Sequence, residues 1–487
     1  MVRNTPQACL KPDHQLERVY SRTTDNPIND SLSDLDYEDE SLSIFPPQTN
    51  SPLLPTNSKY IHSLHFPSYT SRSTLSRVFK CKLSLRVLKI PALVLLCISV
   101  IIGLLAIPWS GLSTSLAPDL YKYQSLDLIN RTDPFAIHHL SAPDGSIHAS
   151  FIGLGASIQT LMVKDRSGSF RDVVLGYDNI SQYLHDPAYP RFGSVVGRYA
   201  NRIKNSSFTL SGAPSYTYKV TANEHGGLNT LHGGRPGWDR RPFTVENKTL
   251  SYLSFSIVDP NGEQGFPNQV VAKVEYELLA GAKWKTRMSA VSDGRTPIML
   301  SSHVYWNLDA YASNYSALDH FIQIKAPKYI VTDNILIPTG EISSVTRTPL
   351  DFTKPKKIGT DLKLTAGLCG VGCIGYASLF FSYILIYLIK SIKEPVMEMW
   401  SEKSGIKMTV TTDQLGLQIY TCNDIQPIPR KVSHQGPLTI YENHTCVVIE
   451  QQSLIDGINN PHWGIDQVYS GPSKPYEWNS LYEFISI

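Results

Sequence analysis

The sequence predicts an all-β fold, a large antiparallel β-sandwich, preceded by a disordered tail and one transmembrane helix. The composition favours strands and turns, with 26 Tyr, 31 Gly and 32 Pro in 487 residues, and long amphipathic helical patterns are few. Apolar segments of strand length, separated by turn residues, recur from about residue 126 onward. An uncharged apolar stretch nearer the N-terminus predicts the membrane helix.

Residues 1–89 are predicted to be a disordered cytoplasmic tail that ends in a basic juxtamembrane stretch. The tail is rich in Ser, Pro, Asn and Thr and carries an acidic cluster between Asp34 and Glu40. It shows no sustained apolar period, so it lacks the surface that a packed core requires.

Residues 90–109 are predicted to form the transmembrane helix. They are almost wholly apolar, and at about 1.5 Å rise per residue they span a bilayer core of roughly 30 Å. A cleaved signal peptide is the competing interpretation, but 89 residues precede the segment and its apolar run exceeds that of a signal peptide. A buried globular helix is the other alternative, although such helices are seldom apolar on all sides.

The flanking charges predict the orientation of this helix. Its C-terminal flank has no charge before Asp119, whereas its N-terminal flank is basic. By the positive-inside rule the N-terminus is cytoplasmic, and the chain beyond the 110–125 linker is lumenal or extracellular. The basic residues are Arg72, Arg77, Lys80, Lys82, Arg86 and Lys89.

Sequons and cysteines suit an exported domain. Four of the seven cysteines follow the helix, which predicts one or two disulfides in an oxidising compartment. Cys369 and Cys373 as half of a zinc site is the alternative, but no second pair has matching spacing. Six Asn-X-Ser/Thr sequons also lie on the exported side, at Asn130, Asn179, Asn205, Asn247, Asn314 and Asn443.

The exported part, residues 126–487, is predicted to be one β-sandwich domain. Turn residues such as Pro143–Gly145 and Asp165–Gly168 flank the alternating run Ala156–Val163. Similar runs are Tyr252–Val258, Val270–Leu278, Ile298–Val304, Met408–Thr411, Leu417–Tyr420 and Cys446–Ile449.

Charge and motifs exclude several classes of function. The chain has 44 Lys and Arg against 42 Asp and Glu, so its net charge predicts no nucleic-acid partner. A Gly-rich nucleotide loop, a Gly-X-Ser-X-Gly elbow and a His-Glu-X-X-His motif are all absent from the sequence. Function must therefore be sought in polar clusters within the strand-like sequence.

Four polar clusters resemble the aldose 1-epimerase (galactose mutarotase) family. They are Gly197–Ile203, Asn229–Gly234, Ser302–Leu308 and Val448–Gln451, with supporting segments Asp259–Pro267, Leu336–Glu341 and Thr411–Thr421. The resemblance covers residues 126–365 and 395–487. It implies the galactose mutarotase-like supersandwich and an isomerase that interconverts the anomers of a free aldohexose, with no cofactor and no metal.

The chemistry of anomer exchange needs one base and one acid. A proton leaves the C1 hydroxyl while another reaches the ring oxygen, which opens the ring. Glu450 suits the base because its apolar neighbours should raise the pKa of its carboxyl. His303 suits the acid because imidazole titrates near neutrality. A base and an acid on opposite sides of the sugar suffice for this exchange. The resemblance implies that these two residues are the catalytic pair.

Further residues are predicted to bind the sugar. The resemblance implies that His232 hydrogen-bonds the sugar, in a turn whose glycines let a ligand approach the backbone. It also implies that Arg202 binds vicinal hydroxyls and that Asn201 lines the pocket. The aromatic candidates for stacking on the sugar are Tyr305, Trp306 and Trp238.

The chain departs from the family in one region. The family places a sugar-binding aspartate after a Gly-Tyr dipeptide, whereas Ala377 and Ser378 follow Gly375-Tyr376 here. Residues 366–389 are uncharged, and hydropathy alone suggests a second membrane span, which would separate Glu450 from His303. Residues 366–396 are therefore predicted to be either a divergent buried insert or an aberrant segment, and the second interpretation is preferred.

Two other functions fit the same fold. A hexose 6-phosphate 1-epimerase would need a cationic pocket for the phosphate. A non-catalytic carbohydrate-binding protein would keep the sandwich without turnover, and the missing aspartate motivates it. The sequence does not identify the preferred sugar or the oligomeric state.

Overall fold

The computed structural model describes residues 131–311, 316–381, 394–434 and 439–487. The predicted tail, transmembrane helix and linker lie outside these residues. Within them, no helix combines the length and apolar character needed to span a membrane. Strands are the main regular secondary structure of the described part, and the α-helix α1 (Gln182–His185) is a single turn.

The strands are numbered β1 to β29 in chain order. They are β1 (Ile137–Ser141), β2 (His148–Ile152), β3 (Ser157–Lys164), β4 (Phe170–Asp172), β5 (Ser194–Val196), β6 (Arg202–Ile203), β7 (Ser207–Leu210), β8 (Tyr216–Lys219), β9 (Thr230–Leu231), β10 (Thr244–Lys248), β11 (Tyr252–Asp259), β12 (Val270–Leu279), β13 (Lys283–Ser292), β14 (Thr296–Pro297), β15 (Ser301–His303), β16 (Tyr305–Trp306), β17 (Phe321–Ile324), β18 (Lys328–Thr332), β19 (Pro338–Ser344), β20 (Lys356–Lys357), β21 (Ala377–Phe381), β22 (Met397–Trp400), β23 (Ile406–Thr412), β24 (Gly416–Tyr420), β25 (Ile428–Pro429), β26 (Ile440–Tyr441), β27 (Val447–Gln452), β28 (Val468–Tyr469) and β29 (Tyr476–Ser486).

Three sheets form the framework, and their pairings are antiparallel. The largest has nine strands in the order β10-β11-β12-β13-β29-β23-β22-β17-β20. A six-stranded sheet has the order β16-β27-β24-β21-β18-β19, and a four-stranded sheet has the order β1-β2-β3-β4. This arrangement confirms the predicted all-β class, and six of the seven predicted runs match strands; the run Ile298–Val304 contains only the short strand β15.

Burial explains why these segments form a layered structure. Strands β12, β13 and β29 alternate buried and more exposed residues, which is typical of a sheet with one face on the core and one face toward solvent. In β27, by contrast, all six residues are buried. The six-stranded sheet is therefore covered on both faces where β27 runs.

The two faces of β27 serve different purposes. Val447 and Ile449 join the main hydrophobic core, which also contains Trp284 and Trp478 of the nine-stranded sheet. The alternate residues, including Glu450, point to the other face because side chains of a strand alternate with a period of two. The sheet thus turns its apolar residues to the core and a carboxylate to the opposite side.

The first half of the divergent region is part of this framework. Strand β21 pairs with β24 and with β18, so residues 377–381 complete the six-stranded sheet. The interpretation of residues 366–396 as a divergent insert or an aberrant segment stays a prediction. Residues 382–393, which include the rest of the apolar run, lie outside the described residues.

A candidate acid–base site beside the six-stranded sheet

A cavity of about 680 Å³ lies on the second face of β27. This volume is typical of a small-molecule site. All five residues of the predicted site line it: Glu450, His303, His232, Arg202 and Asn201. Their assigned catalytic and binding roles remain predictions, but the fold brings together residues that are up to 249 positions apart in the sequence.

Glu450 lies near the end of β27, directly opposite Gln418 of β24. Its side chain is almost fully buried, and its Oε2 has no hydrogen-bond partner in the described protein. Burial raises the pKa of this carboxyl to about 8, although the charges of Arg191 and Arg202 oppose the rise. The upward direction agrees with the sequence-based expectation.

His303 ends β15, and its Nε2 lies 3.8 Å from Oε1 of Glu450. Burial lowers the pKa of this imidazole to about 3, with a further contribution from Arg191. The expectation that it titrates near neutrality is therefore wrong, because the apolar surroundings disfavour the imidazolium. The expectation that the pair lies on opposite sides of the sugar stays a prediction.

Two hydrogen bonds donated by backbone amides join His232 and Asn201. The amide of Asn201 donates to Nδ1 of His232 at 3.1 Å, and the amide of His232 donates to the carbonyl of Asn201 at 2.9 Å. An acceptor at Nδ1 fixes the neutral tautomer with its proton on Nε2. Burial also lowers the pKa of His232 well below its usual value, so its ring is a neutral hydrogen-bond donor.

The glycine after His232 serves backbone packing. A Cβ added to Gly233, whose φ is +82°, would lie 2.1 Å from the carbonyl oxygen of Gly197. The predicted reason for this glycine, room for a ligand against the backbone, is therefore wrong. The missing Cβ instead lets two chain segments meet and set the position of the imidazole.

Arg202 is oriented by a residue that sequence reasoning missed. Its Nε and Nη2 donate to the two carboxylate oxygens of Glu224 at 2.9 and 2.7 Å. Its Nη1 also reaches Oδ1 of Asn201 at 3.4 Å. This forked geometry fixes the guanidinium at the cavity wall. No pattern in the sequence around Glu224 marks it as a site residue, because it lies in a polar loop.

Only one of the three predicted stacking aromatics reaches the cavity. Tyr305 lines it. Trp306 is fully buried against Tyr482, with ring centroids 5.4 Å apart, on the core face of the sheet. Trp238 is also buried, and its Nε1 donates to Asp259. The stacking assignments for Trp306 and Trp238 are therefore wrong.

Three further cavity residues were not predicted. Gln418 has an Oε1 without a hydrogen-bond partner in the described protein, and the alternation of this polar residue with Leu417 and Ile419 is a signal that could have found it. Arg191 and Tyr189 precede β5 in a loop whose sequence gives no comparable signal. The position after Gly375-Tyr376, Ala377, also lines the cavity and presents only a methyl group there.

Two disulfides brace the cavity wall. Cys369 is bonded to Cys373, and Cys422 is bonded to Cys446. These bonds confirm the predicted disulfides and leave the first pair without the thiolates that a zinc half-site would require. Residues of both bridged loops line the cavity, so the bonds restrict the loops that surround a ligand.

The three central groups are close enough to exchange protons. One ligand atom from each of His232, His303 and Glu450 lies within 4.8 Å of the others. Two imidazoles and a carboxylate at this spacing suit either a proton relay or a divalent ion. The depressed pKa values of both imidazoles and the raised pKa of the carboxyl are those of a buried acid–base set.

Comparisons with known proteins identify relatives of the chain. Residues 138–482 match the profile of the family described as aldose 1-epimerase. A probable aldose 1-epimerase from Arthroderma benhamiae is 37% identical, over 71% of this chain and 85% of the relative. Galactose mutarotase from Bos taurus is 34% identical, over 69% and 91% of the two chains. The solved structure of an aldose epimerase homologue from C. elegans matches with a TM-score of 0.62 and 27% identity, covering 72% of this chain and 99% of that one.

Proposed function

Because this chain belongs to the aldose 1-epimerase family and is an isomerase, we propose that it interconverts the α and β anomers of a free aldohexose such as galactose or glucose. The observation that carries the proposal is the placement of Glu450 and His303, 3.8 Å apart, in the wall of a cavity large enough for a sugar. The two oxygens bonded to C1 of a pyranose are neighbours, so one group can reach each of them.

The proposed reaction uses a single proton held by this pair. With pKa values of about 3 for His303 and about 8 for Glu450, the pair carries one proton across the neutral range. In the reactive arrangement Glu450 is the carboxylate and His303 is the imidazolium. Burial favours the uncharged arrangement, and ionic contacts within the cavity offset part of that preference.

Ring opening and closure then balance. The carboxylate of Glu450 takes the proton of the C1 hydroxyl, the C1–O bond of the ring breaks, and the ring oxygen takes the proton of His303. The product is an open-chain aldehyde with Glu450 protonated and His303 neutral. After rotation about the C1–C2 bond, attack by the same hydroxyl on the other face of the carbonyl returns both protons and gives the other anomer.

The remaining cavity residues position the sugar in this proposal. The Nε2–H of His232 is a neutral donor beside the reacting centre, and the amide of Gln418 can accept or donate to a hydroxyl. Arg202, held by Glu224, offers its outer N–H groups to hydroxyls without having to be ordered on binding.

Polarimetry tests the proposal. The optical rotation of freshly dissolved α-D-galactose or α-D-glucose should relax faster with the full chain than in buffer, and Glu450→Gln should remove most of the acceleration. Binding of the sugar without acceleration would instead support a carbohydrate-binding protein. Acceleration confined to glucose 6-phosphate would support a hexose 6-phosphate 1-epimerase.

We further propose that the enzyme is anchored by residues 90–109 with its sugar-binding domain outside the cytoplasm. The apolar segment and its basic flank support this, as do the two disulfides. The sequon asparagines that lie in the described residues, Asn179, Asn205, Asn247 and Asn443, are all exposed. A mass decrease of the cellular protein on treatment with an N-glycosidase, and retention in the membrane fraction at alkaline pH, are expected.

A further inference from the structure

The buried carboxylate of Glu450 needs a counter-charge when it is ionised. A carboxylate removed from water is costly unless a cation or hydrogen bonds compensate. Its Oε2 has no hydrogen-bond partner in the described protein. The residues lining the cavity include two arginines, Arg191 and Arg202, and two buried histidines.

Most of these cationic candidates are unsuitable. Both carboxylate oxygens of Glu224 already bind Arg202, so its charge is largely neutralised where it lies. Burial lowers the pKa of His232 and of His303, so neither ring carries a charge at rest. Among the described residues that line the cavity, Arg191 is therefore the remaining cation that can compensate the charge of Glu450.

The charge of Arg191 is compensated less than that of Arg202, because its ion pair with Asp239 is long and is not bidentate. The side chain is 17% exposed and reaches the cavity from the loop before β5. Its Nε is buried without a hydrogen-bond partner, and the nearest carboxylate oxygen, on Asp239, lies 3.9 Å away. Its guanidinium stacks over the ring of Tyr189 at 5.2 Å, which holds it without neutralising it.

We propose that Arg191 is the counter-charge of Glu450, a positioning residue whose guanidinium stabilises the ionised carboxylate and so sets the upper pH limit of the catalytic pair. The inference rests on the proposed function, since it assigns a regulator to the same pair. Arg191 itself neither gives nor takes either of the two protons that move in the proposed reaction.

The electrostatics of the site agree with this geometry. The ionisable groups that act on or adjoin Glu450 are Arg191, Arg202, His232, His303 and Tyr305. Of these, Arg191 makes the largest contribution against the burial that raises the pKa of Glu450, followed by Arg202. Removing the charge of Arg191 should therefore raise that pKa further.

The test is the pH dependence of kcat/KM for α-D-galactose, measured by polarimetry on the full chain. The rate should fall in alkali as the pair loses its shared proton. In Arg191→Gln this alkaline limb should move upward by about one pH unit, the usual effect of one nearby charge. Arg191→Lys keeps the charge and should keep the limb near its wild-type position.

A matched control is Arg235→Gln. Arg235 stacks on the same Tyr189 ring, at 4.3 Å, but is not among the described residues that line the cavity. Its substitution should leave the limb unmoved. An unmoved limb in Arg191→Gln would overturn the proposal, and a rise in KM at every pH with an unmoved limb would make Arg191 a substrate contact instead.

A second measurement keeps this inference separate from the proposed function. The Glu450 carboxyl can be titrated by NMR in protein with ¹³C-labelled glutamate, its signal being identified by its loss in Glu450→Gln. A higher pKa in Arg191→Gln than in the wild type supports the counter-charge even if the wild type does not accelerate mutarotation. Equal pKa values in the two proteins would refute it.

Discussion

Replacing Glu450 with glutamine should abolish most of the activity and stabilise the fold. The glutamine side chain has nearly the same shape but cannot act as a base. The rate of mutarotation should fall by a factor of roughly 10² or more, the usual contribution of a general base. The free energy of unfolding should rise because the variant has no carboxyl whose ionisation the buried site disfavours.

The size and sign of the stability effect follow from the pKa. The carboxyl has a pKa of about 8 in the folded protein and 4.5 ordinarily. Below pH 4.5 it is protonated in both the folded and unfolded states, so it has no effect. As the pH rises toward the folded value, the unfolded state alone ionises, and the wild type loses about 1.4 kcal/mol per pH unit. By pH 7 the loss is roughly 3 kcal/mol, which Glu450→Gln avoids.

Thermal unfolding followed by circular dichroism at several pH values measures this difference. For a domain of about 350 residues, 3 kcal/mol corresponds to a rise in Tm of roughly 4 °C. The decisive quantity is the slope of the Tm difference against pH, because a change in hydrogen bonding shifts Tm by the same amount at every pH. Glu477→Gln, at an exposed ion pair with Arg287, is the control and should show no such slope. A Tm difference between Glu450→Gln and wild type that is constant from pH 5 to 8 would refute the reasoning.

Four other outcomes are expected. Glu224→Gln should raise KM several-fold with a smaller change in kcat, because Arg202 loses its bidentate anchor; an unchanged KM would show that the anchor is unimportant. Ala377→Asp should lower KM for galactose by supplying a carboxylate to the cavity, and weaker binding by calorimetry would contradict this. Lys431→Met should destabilise the fold by roughly 3–5 kcal/mol in urea unfolding, because it leaves Asp172 buried without its partner at 2.7 Å; Asp172→Asn in the same chain should recover much of the loss. A chelator such as EDTA should leave the polarimetric rate unchanged. A loss of activity that added zinc restores would show that the acid–base cluster binds a metal.

The sandwich could be predicted because strand periodicity is local. Runs such as Val270–Leu278 alternate apolar and polar residues, and the structure follows that alternation residue by residue. The residues brought together in the cavity came from the family resemblance, since no local pattern links positions 202, 303 and 450. Their spacing in space depends on a sheet order that the sequence does not display.

The errors have a common physical origin, the difference between the two faces of a sheet. Trp306 and Tyr305 are adjacent in the chain, yet one packs in the core and the other lines the cavity. The low pKa of His303 likewise depends on how completely the fold buries its imidazole, and the residues next to it in the chain do not reveal this. Arg191 was missed because a single arginine in a loop carries no periodic signal.

The alternation along β27 also limits how this protein can change. A deletion or insertion of one residue ahead of position 450 within the strand would rotate every following side chain to the opposite face. The carboxylate of Glu450 would then point to the core face, and Ile449 or Gln451 would take its place beside the cavity. New specificities can therefore arise here by exchanging side chains in place, while changes of length must be confined to the loops at the cavity mouth.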